Sequence, residues 1–295
     1  MTIHRTEAGV LEVAYRRVGP PDGWPCILGH GFPYDVHAYD DVADLLAKEG
    51  ALVIIPYLRG YGPTRFLSDD TPRSGEQAAL GADLLALMDA LQIERAFLGG
   101  YDWGGRAACI VSALWPDRVL GLVSGNSYNI QNIAKSWEPA PAAEEATCWY
   151  QYFFHSERGR RGLERDRRDI ARLLWKMWSP TWNFDQDTFE RSAISFDNPD
   201  FVDVVIHSYR HRFGLVPGDP AVAHIETQLV AQPPISVPTI SIDGDMDGVN
   251  TGTAAHAVKF SGPHEHRIFE QAGHNLPQER PMQWAQAVLD VKEMA

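Results

Sequence analysis

The stretch Leu98-Gly99-Gly100-Tyr101-Asp102-Trp103-Gly104-Gly105-Arg106 decides how this chain is read. The run Arg95-Ala96-Phe97-Leu98 before it predicts a buried strand, and Ala107 to Trp115 after it predicts a helix ended by Pro116. Between them stands Gly100-x-Asp102-x-Gly104, a sharp turn whose glycines let the chain pass from strand to helix and lift one side chain above the sheet edge. A serine is more familiar at the centre of such a turn; here it is an aspartate. The helix N-terminus at this point stabilises the carboxylate as an anion. The plainer role for Asp102 is that of a helix cap, and the rest of the chain decides between the two.

Outward from that turn the pattern repeats. Leu11 to Arg16 alternates apolar and polar residues, as a half-buried strand does, and Gly19-Pro20-Pro21-Asp22-Gly23 is a turn. Pro25-Cys26-Ile27-Leu28-Gly29 is a short buried strand running into His30-Gly31-Phe32-Pro33. Val36, Tyr39, Val42 and Leu46 mark a helix face, and Ala51 to Pro56 is a continuous apolar run of the kind covered on both sides. Arg59 to Pro63 is a loop, and Leu80, Leu84, Leu87, Met88 and Leu91 line a second helix. Val119 to Ser124 adds a strand after the central helix. Strand and helix alternating on short connections predict an α/β fold with a mostly parallel, doubly wound sheet, whose reactive groups collect at the C-terminal strand ends.

The pattern changes near Ser127. Residues 127–236 are rich in Trp, Arg and acidic residues, with helical periodicity and breaks at Pro139-Ala140-Pro141, Ser179-Pro180, Asn198-Pro199 and Gly218-Asp219-Pro220. This predicts an inserted cap of short helices, with Arg158 to Asp169 as a solvated, mixed-charge helix surface. Strands resume at Val237 to Asp243 and at His266 to Glu270, and a last helix carries Trp284, Val288 and Val291 on one face. The core domain is then 1–126 plus 237–295, and the cap is 127–236.

Composition narrows the function. A hydrophobic fraction of 44% over 295 residues suits one folded domain with an insertion. The net charge of −13 disfavours nucleic acid and anionic membrane as partners. No apolar run is long enough to span a bilayer, and the N-terminus lacks the apolar core of a secretion signal. Three widely spaced cysteines, Cys26, Cys109 and Cys148, argue against a disulfide framework and for the cytoplasm. His207 with His211 and His264 with His266 lack a third ligand at a metal-binding spacing, so no metal and no cofactor are expected.

Asp102, an acid near 247 and His274 fall at strand ends in the chain order nucleophile, acid, histidine. With His30-Gly31-Phe32-Pro33, Gly100-Tyr101-Asp102-Trp103-Gly104, Gly244-x-x-Asp247 and Gly273-His274, the whole chain resembles the α/β-hydrolase superfamily. The resemblance implies an α/β-hydrolase fold and selects Asp247 over Asp243 and Asp245. It also implies an oxyanion hole of the Phe32 and Trp103 backbone N–H groups, supported by His30 and by Pro33, which holds Phe32 extended.

A carboxylate is ionised at neutral pH without a base. It can displace a leaving group at saturated carbon, forming an alkyl ester that water activated by His274 and Asp247 then hydrolyses. Two leaving groups suit this chemistry. An epoxide oxygen leaves as an alkoxide and needs an acid; a halide needs N–H donors. The segments Trp149-Tyr150-Gln151-Tyr152-Phe153-Phe154-His155 and His207-Ser208-Tyr209-Arg210 resemble the two cap-tyrosine segments of epoxide hydrolases. That resemblance implies Tyr150 and Tyr209 as the acids, with Tyr152 as rival to Tyr150, and an epoxide opened to a vicinal diol.

Haloalkane dehalogenases, which also place a tryptophan after the nucleophile, give the alternative. Their second halide donor has no counterpart in the Phe32 side chain. Fluoroacetate dehalogenases carry an arginine where Trp103 stands. A non-catalytic binding protein on the same fold is a further alternative, with little reason to keep the triad and both tyrosines. Tyr57 departs from the family, which often has an acid two residues before Arg59. Phe32, Trp103, Trp149 and Phe153 are the expected pocket wall, for a small apolar or aromatic epoxide with water as co-substrate.

Overall fold

The computed structural model describes residues 2–250 and 252–295. Its strands are β1 (Ile3–Ala8), β2 (Leu11–Val18), β3 (Trp24–Gly29), β4 (Ala51–Pro56), β5 (Arg65–Phe66), β6 (Ala96–Gly100), β7 (Val119–Gly125), β8 (Thr239–Gly244) and β9 (His264–Phe269). They build one sheet in the order β1-β2-β4-β3-β6-β7-β8-β9, with β5 paired to β2. β1, β2 and β5 pair antiparallel, and every pairing from β4 across to β9 is parallel. This is the α/β-hydrolase fold.

The inner strands are apolar throughout because helices cover both faces. Side chains alternate across the sheet. Leu28, Val53, Phe97 and Val123 face one layer, while Ile27, Ile54, Leu98 and Leu122 face the other. The first layer is closed by α1 (Asp40–Lys48) through Val42 and Leu46, and by the last helix through Trp284, Val288 and Val291. The second is closed by α2 (Gln77–Ala90) and α3 (Asp102–Leu114) through Met88, Cys109 and Ile110. Each such side chain, fully buried, contributes roughly 1.5–3 kcal/mol.

β1 and β5 were not legible in the pattern. β1 reads Ile3-His4-Arg5-Thr6-Glu7-Ala8, and it is an edge strand paired, among the described residues, with β2 alone. Charged residues at an exposed edge discourage pairing with another chain and erase the apolar signal at the same time.

Between β7 and β8 every regular element is helical. They are α4 (Ala142–Thr147), α5 (Trp149–His155), α6 (Glu157–Trp178), α7 (Gln186–Ala193), α8 (Phe201–His211) and α9 (Ala223–Leu229), followed after β9 by α10 (Leu276–Glu279) and α11 (Pro281–Met294). α6 is 22 residues long, with one non-helical residue at Asp166, so it is not a short helix. Nothing in its sequence stops it between the Ser156 cap and Ser179-Pro180.

The charged run on α6 is more than a wet face. Arg160 pairs with Asp203, Arg168 with Glu190 and Asp197, and Arg172 with Glu190, which ties α6 to α7, α8 and the turn between them. Ile225 and Leu229 of α9 pack into the layer of Met88 and Ile110. The three cysteines are free thiols. Among the described residues no helix is long and apolar enough to cross a membrane.

Candidate active site

The turn between β6 and α3 sets the geometry. Asp102 has φ 49°, a left-handed conformation that costs a non-glycine residue roughly 1–3 kcal/mol. Packing over-determines it. A Cβ on Gly104 would lie 2.0 Å from the Gly29 carbonyl oxygen, and one on Gly100 would lie 2.4 Å from the Gly104 carbonyl carbon. Helix α3 therefore rests directly on the ends of β3 and β6, and the backbone has one path left. Gly104→Ala is expected to destabilise the fold by about 3 kcal/mol, the upper end of overpacking costs. A urea midpoint equal to wild type would show that the turn can move aside.

Asp102 is not the helix cap. Tyr101 holds that position, and the Asp102 carboxylate reaches across to the neighbouring loop, where Oδ1 accepts the Phe32 N–H at 2.7 Å. Gly31 makes this approach possible, since a Cβ there would sit 2.6 Å from the Asp102 Cβ. Burial alone would raise the Asp102 pKa; His274, the Arg106 charge and the Phe32 N–H outweigh it and hold the carboxyl below its ordinary value. The buried His30 imidazole braces the same loop, donating from Nδ1 to the Gly31 carbonyl (3.0 Å) and accepting the Leu58 N–H at Nε2 (3.2 Å). The Pro33 carbonyl accepts the Trp175 indole N–H at 2.7 Å, which anchors the loop to α6.

His274 stands opposite. Its Nδ1 donates to Asp247 Oδ2 at 2.8 Å, and its Nε2 faces Asp102 Oδ2 at 3.8 Å, beyond hydrogen-bond reach. Asp247 is fixed in turn by Asn126 Nδ2 on Oδ2 (3.0 Å) and by the Val249 and Asn250 N–H groups on Oδ1. The rival acids are engaged elsewhere: Asp243 with Thr253 and His266, and Asp245 with the Ala272 N–H. Burial would lower the His274 pKa, but the carboxylates of Asp247 and Asp102 push it up to about 10.

The His274 loop is pinned to the inserted helices. Its N–H meets Ser179 Oγ at 3.0 Å, and Ser179 in turn donates to Glu279 at 2.6 Å. Asn126, Ser179 and Glu279 were missed in the sequence. Asn126 follows the C-terminal end of β7, where such a group is to be sought; Ser179 and Glu279 gave no signal.

An aromatic wall closes the space above Asp102. The Phe32 ring lies 5.7 Å from that of Trp103, 5.3 Å from Tyr209, 6.4 Å from Tyr150 and 6.3 Å from Trp178. Tyr150 on α5 and Tyr209 on α8 meet at 5.3 Å between ring centroids. Tyr150 OH accepts from Gln151 Nε2 at 3.0 Å, which leaves its own proton free to be donated. Tyr152 is no rival, because it is exposed and its hydroxyl bonds Glu145.

Trp149 and Phe153 do not join the wall. On α5, Tyr150 and Phe154 share the inward face, while Trp149 and Phe153 turn to a solvent-open groove beside Arg158 and Arg161 of α6. Phe154, Trp178 and Phe201 take their place, each within 6.4 Å of the Phe32 ring between centroids. The indole N–H groups of Trp103 and Trp178 are both buried with no hydrogen-bond partner among the described residues.

The chain belongs to the α/β hydrolase fold family, which it matches over residues 25–281. Within that family it is epoxide hydrolase-like and related to the dehalogenases. Epoxide hydrolase A of Mycobacterium tuberculosis is 27% identical over 92% of this chain and 91% of its own length. A proposed epoxide hydrolase from Klebsiella pneumoniae has a crystal structure that superposes with a TM-score of 0.97 at 46% identity, covering 99% of this chain and 97% of that one. Epoxide hydrolase 3 of Siraitia grosvenorii is 37% identical over 98 residues, covering only 30% of that protein. Fluoroacetate dehalogenase of a Burkholderia species is 37% identical over 38% of this chain and 37% of that enzyme. The chain is an enzyme, a hydrolase of the epoxide-hydrolase type.

Proposed function

We propose that this hydrolase opens an epoxide to a vicinal diol through a covalent ester on Asp102. The observation that carries the reading is the convergence of two buried phenols, Tyr150 and Tyr209, over a carboxylate already held by the Phe32 N–H. Asp102 Oδ2, left free by that bond, attacks an oxirane carbon. The carbon–oxygen bond breaks with its electron pair on the ring oxygen, and a phenol protonates that oxygen.

His274 then takes a proton from water. The resulting hydroxide attacks the ester carbonyl carbon, and the oxyanion falls to the N–H groups of Phe32 and Trp103. Collapse releases the diol, restores the carboxylate and leaves His274 as the imidazolium, and the phenolate left by ring opening is reprotonated from solvent. Within residues 127–236, α5 to α8 serve as a cap that brings the phenols and Trp178 over the sheet. The aromatic wall favours an apolar or aromatic body on the substrate.

Single turnover in oxygen-18 water tests the covalent route. The first diol formed is expected to be unlabelled, its new oxygen coming from Asp102, with label left in the protein. Label in the first-turnover diol would mean direct attack by water.

One observation favours a second reading, carbon–halogen cleavage. Phe32 offers no side-chain donor, but Trp178 does, so Trp103 and Trp178 supply two unpartnered indole N–H groups to a departing halide. Halide release from haloalkanes without action on epoxides would select this reading. The phenols weigh against it, since a halide leaves without a proton.

A further inference from the structure

Among the described residues, two arginines beside the phenols have no carboxylate partner. Arg212, just beyond α8, lies with Cζ 4.4 Å from the centroid of the Tyr209 ring. Its one hydrogen bond is a long one, from Nη1 to Gln151 Oε1 at 3.3 Å, and Nε and Nη2 are buried with no partner. Arg106, one helical turn beyond the nucleophile on α3, is buried and makes a single hydrogen bond, from Nε to the Asn129 carbonyl at 3.4 Å. Among the described residues no carboxylate oxygen lies within 4 Å of either guanidinium, whereas eleven other arginines make such pairs.

The acids that Arg106 does feel are otherwise engaged: Asp102 by Phe32, and Glu226 by Gln77 Nε2 at 2.6 Å. Burial and the Arg212 charge together push Arg106 down to about 10, so it stays cationic at neutral pH. Buried charges persist in proteins where something compensates them. Here, among the described residues, Asp102 acts on Arg106 only at a distance, and no carboxylate pairs directly with either guanidinium.

The position says what supplies the compensation. Arg212 and Gln151 line a cavity of about 500 Å³ with Asn132, Trp137, Cys148 and Phe213. Gln151 is also the residue that holds the Tyr150 hydroxyl, so this cavity adjoins the phenols. Glu138 and Glu145 also line it, but neither pairs with Arg212, and Glu145 is occupied by the Tyr152 hydroxyl and the Ala140 N–H. The free edge of Arg212 is the Nε–Nη2 edge, the one that matches the two oxygens of a carboxylate. One long hydrogen bond and the Tyr209 ring are the contacts that hold this guanidinium.

We propose that the substrate carries a carboxylate, bound by Arg212 with Arg106 behind it, which positions the oxirane between Asp102 and the two phenols. This rests on the epoxide reading and names its substrate class. It also accounts for two cations at the pocket of a chain with a net charge of −13, whose overall field would repel an anion.

The test uses styrene oxide with a para carboxylate, the same compound as its N-methylamide, and the two corresponding diols. Titration calorimetry with the diols reads the anion site without turnover. The carboxylate diol is expected to bind wild type about tenfold or more tighter than the amide diol, as a charge-assisted bidentate contact should. In Arg212→Gln that ratio falls to about one, and Arg212→Lys restores part of it. Added salt narrows the wild-type ratio.

Equal binding of the two diols by wild type overturns the proposal. So does an unchanged ratio in Arg212→Gln; Arg212 would then act only on the phenols. Turnover separates the two levels of inference. If neither epoxide is consumed but the diol ratio behaves as expected, the epoxide reading fails and the anion site stands.

Discussion

His274→Gln is expected to stop the enzyme after one chemical event, with substrate left on Asp102 as an ester. Glutamine fills the imidazole space and can still donate to Asp247, but it cannot take a proton from water. Steady-state turnover should fall about a thousandfold or more, within the range a general base supplies. Intact-protein mass should rise by the mass of one epoxide. Normal turnover in the variant, or loss of turnover with no adduct, would remove His274 from the role of base.

The electrostatics explain why the ester step should survive. In the free protein the Asp247 and Asp102 charges outweigh burial and hold the His274 pKa up at about 10. The imidazolium is therefore the resting form at neutral pH, and it stabilises the Asp102 carboxylate. Esterification removes the Asp102 charge. The His274 pKa then falls, the imidazolium gives its proton to solvent, and the neutral imidazole is present when a base is needed. Hydrolysis of the ester should accordingly speed up as pH rises through that lowered value and then level off, while ester formation does not require a neutral His274.

Much of this site was legible because it lies where one turn of sequence fixes one turn of structure. Gly100, Asp102 and Gly104 are contiguous, and the steric reasons for both glycines are local. His274 and Asp247 were found through chain order at strand ends, a rule of topology. Asp247 over Asp243 could not come from the residues alone. It took the family spacing, and the hydrogen bond to His274 agrees with it.

What stayed hidden depends on how helices of the insertion rotate. Trp149 and Tyr150 are neighbours in sequence, yet about 100° of helical turn separates their directions. An aromatic run says that a helix packs, not which ring faces the nucleophile. Trp178, Ser179 and Arg212 reach the site from the ends of α6 and α8, whose placement is set by packing between elements far apart in the chain. The edge strand β1 was hidden for the opposite reason, since its exposure favours residues that carry no apolar pattern.

The double variant Tyr150→Phe with Tyr209→Phe should slow ring opening about a thousandfold, with each single change costing roughly ten- to a hundredfold. Burial raises both phenol pKa values above the ordinary one, so both are fully protonated at working pH. The Arg212 charge acts the other way on both, which eases formation of the phenolate as the proton leaves. Burial keeps the proton in place; the cation limits the cost of giving it up. With two donors on one oxygen, loss of either leaves the other to protonate the alkoxide, and loss of both leaves it unprotonated. The effect should therefore be confined to the first chemical step. Trp103 and Trp178 border the site, so intrinsic fluorescence can follow ester formation and decay in a stopped-flow experiment. Formation should slow in the order wild type, single variants, double variant, with decay nearly constant. A double variant that forms the ester at the wild-type rate would mean the phenols are wall and nothing more. The two indole N–H groups would then point to a halide as the leaving group.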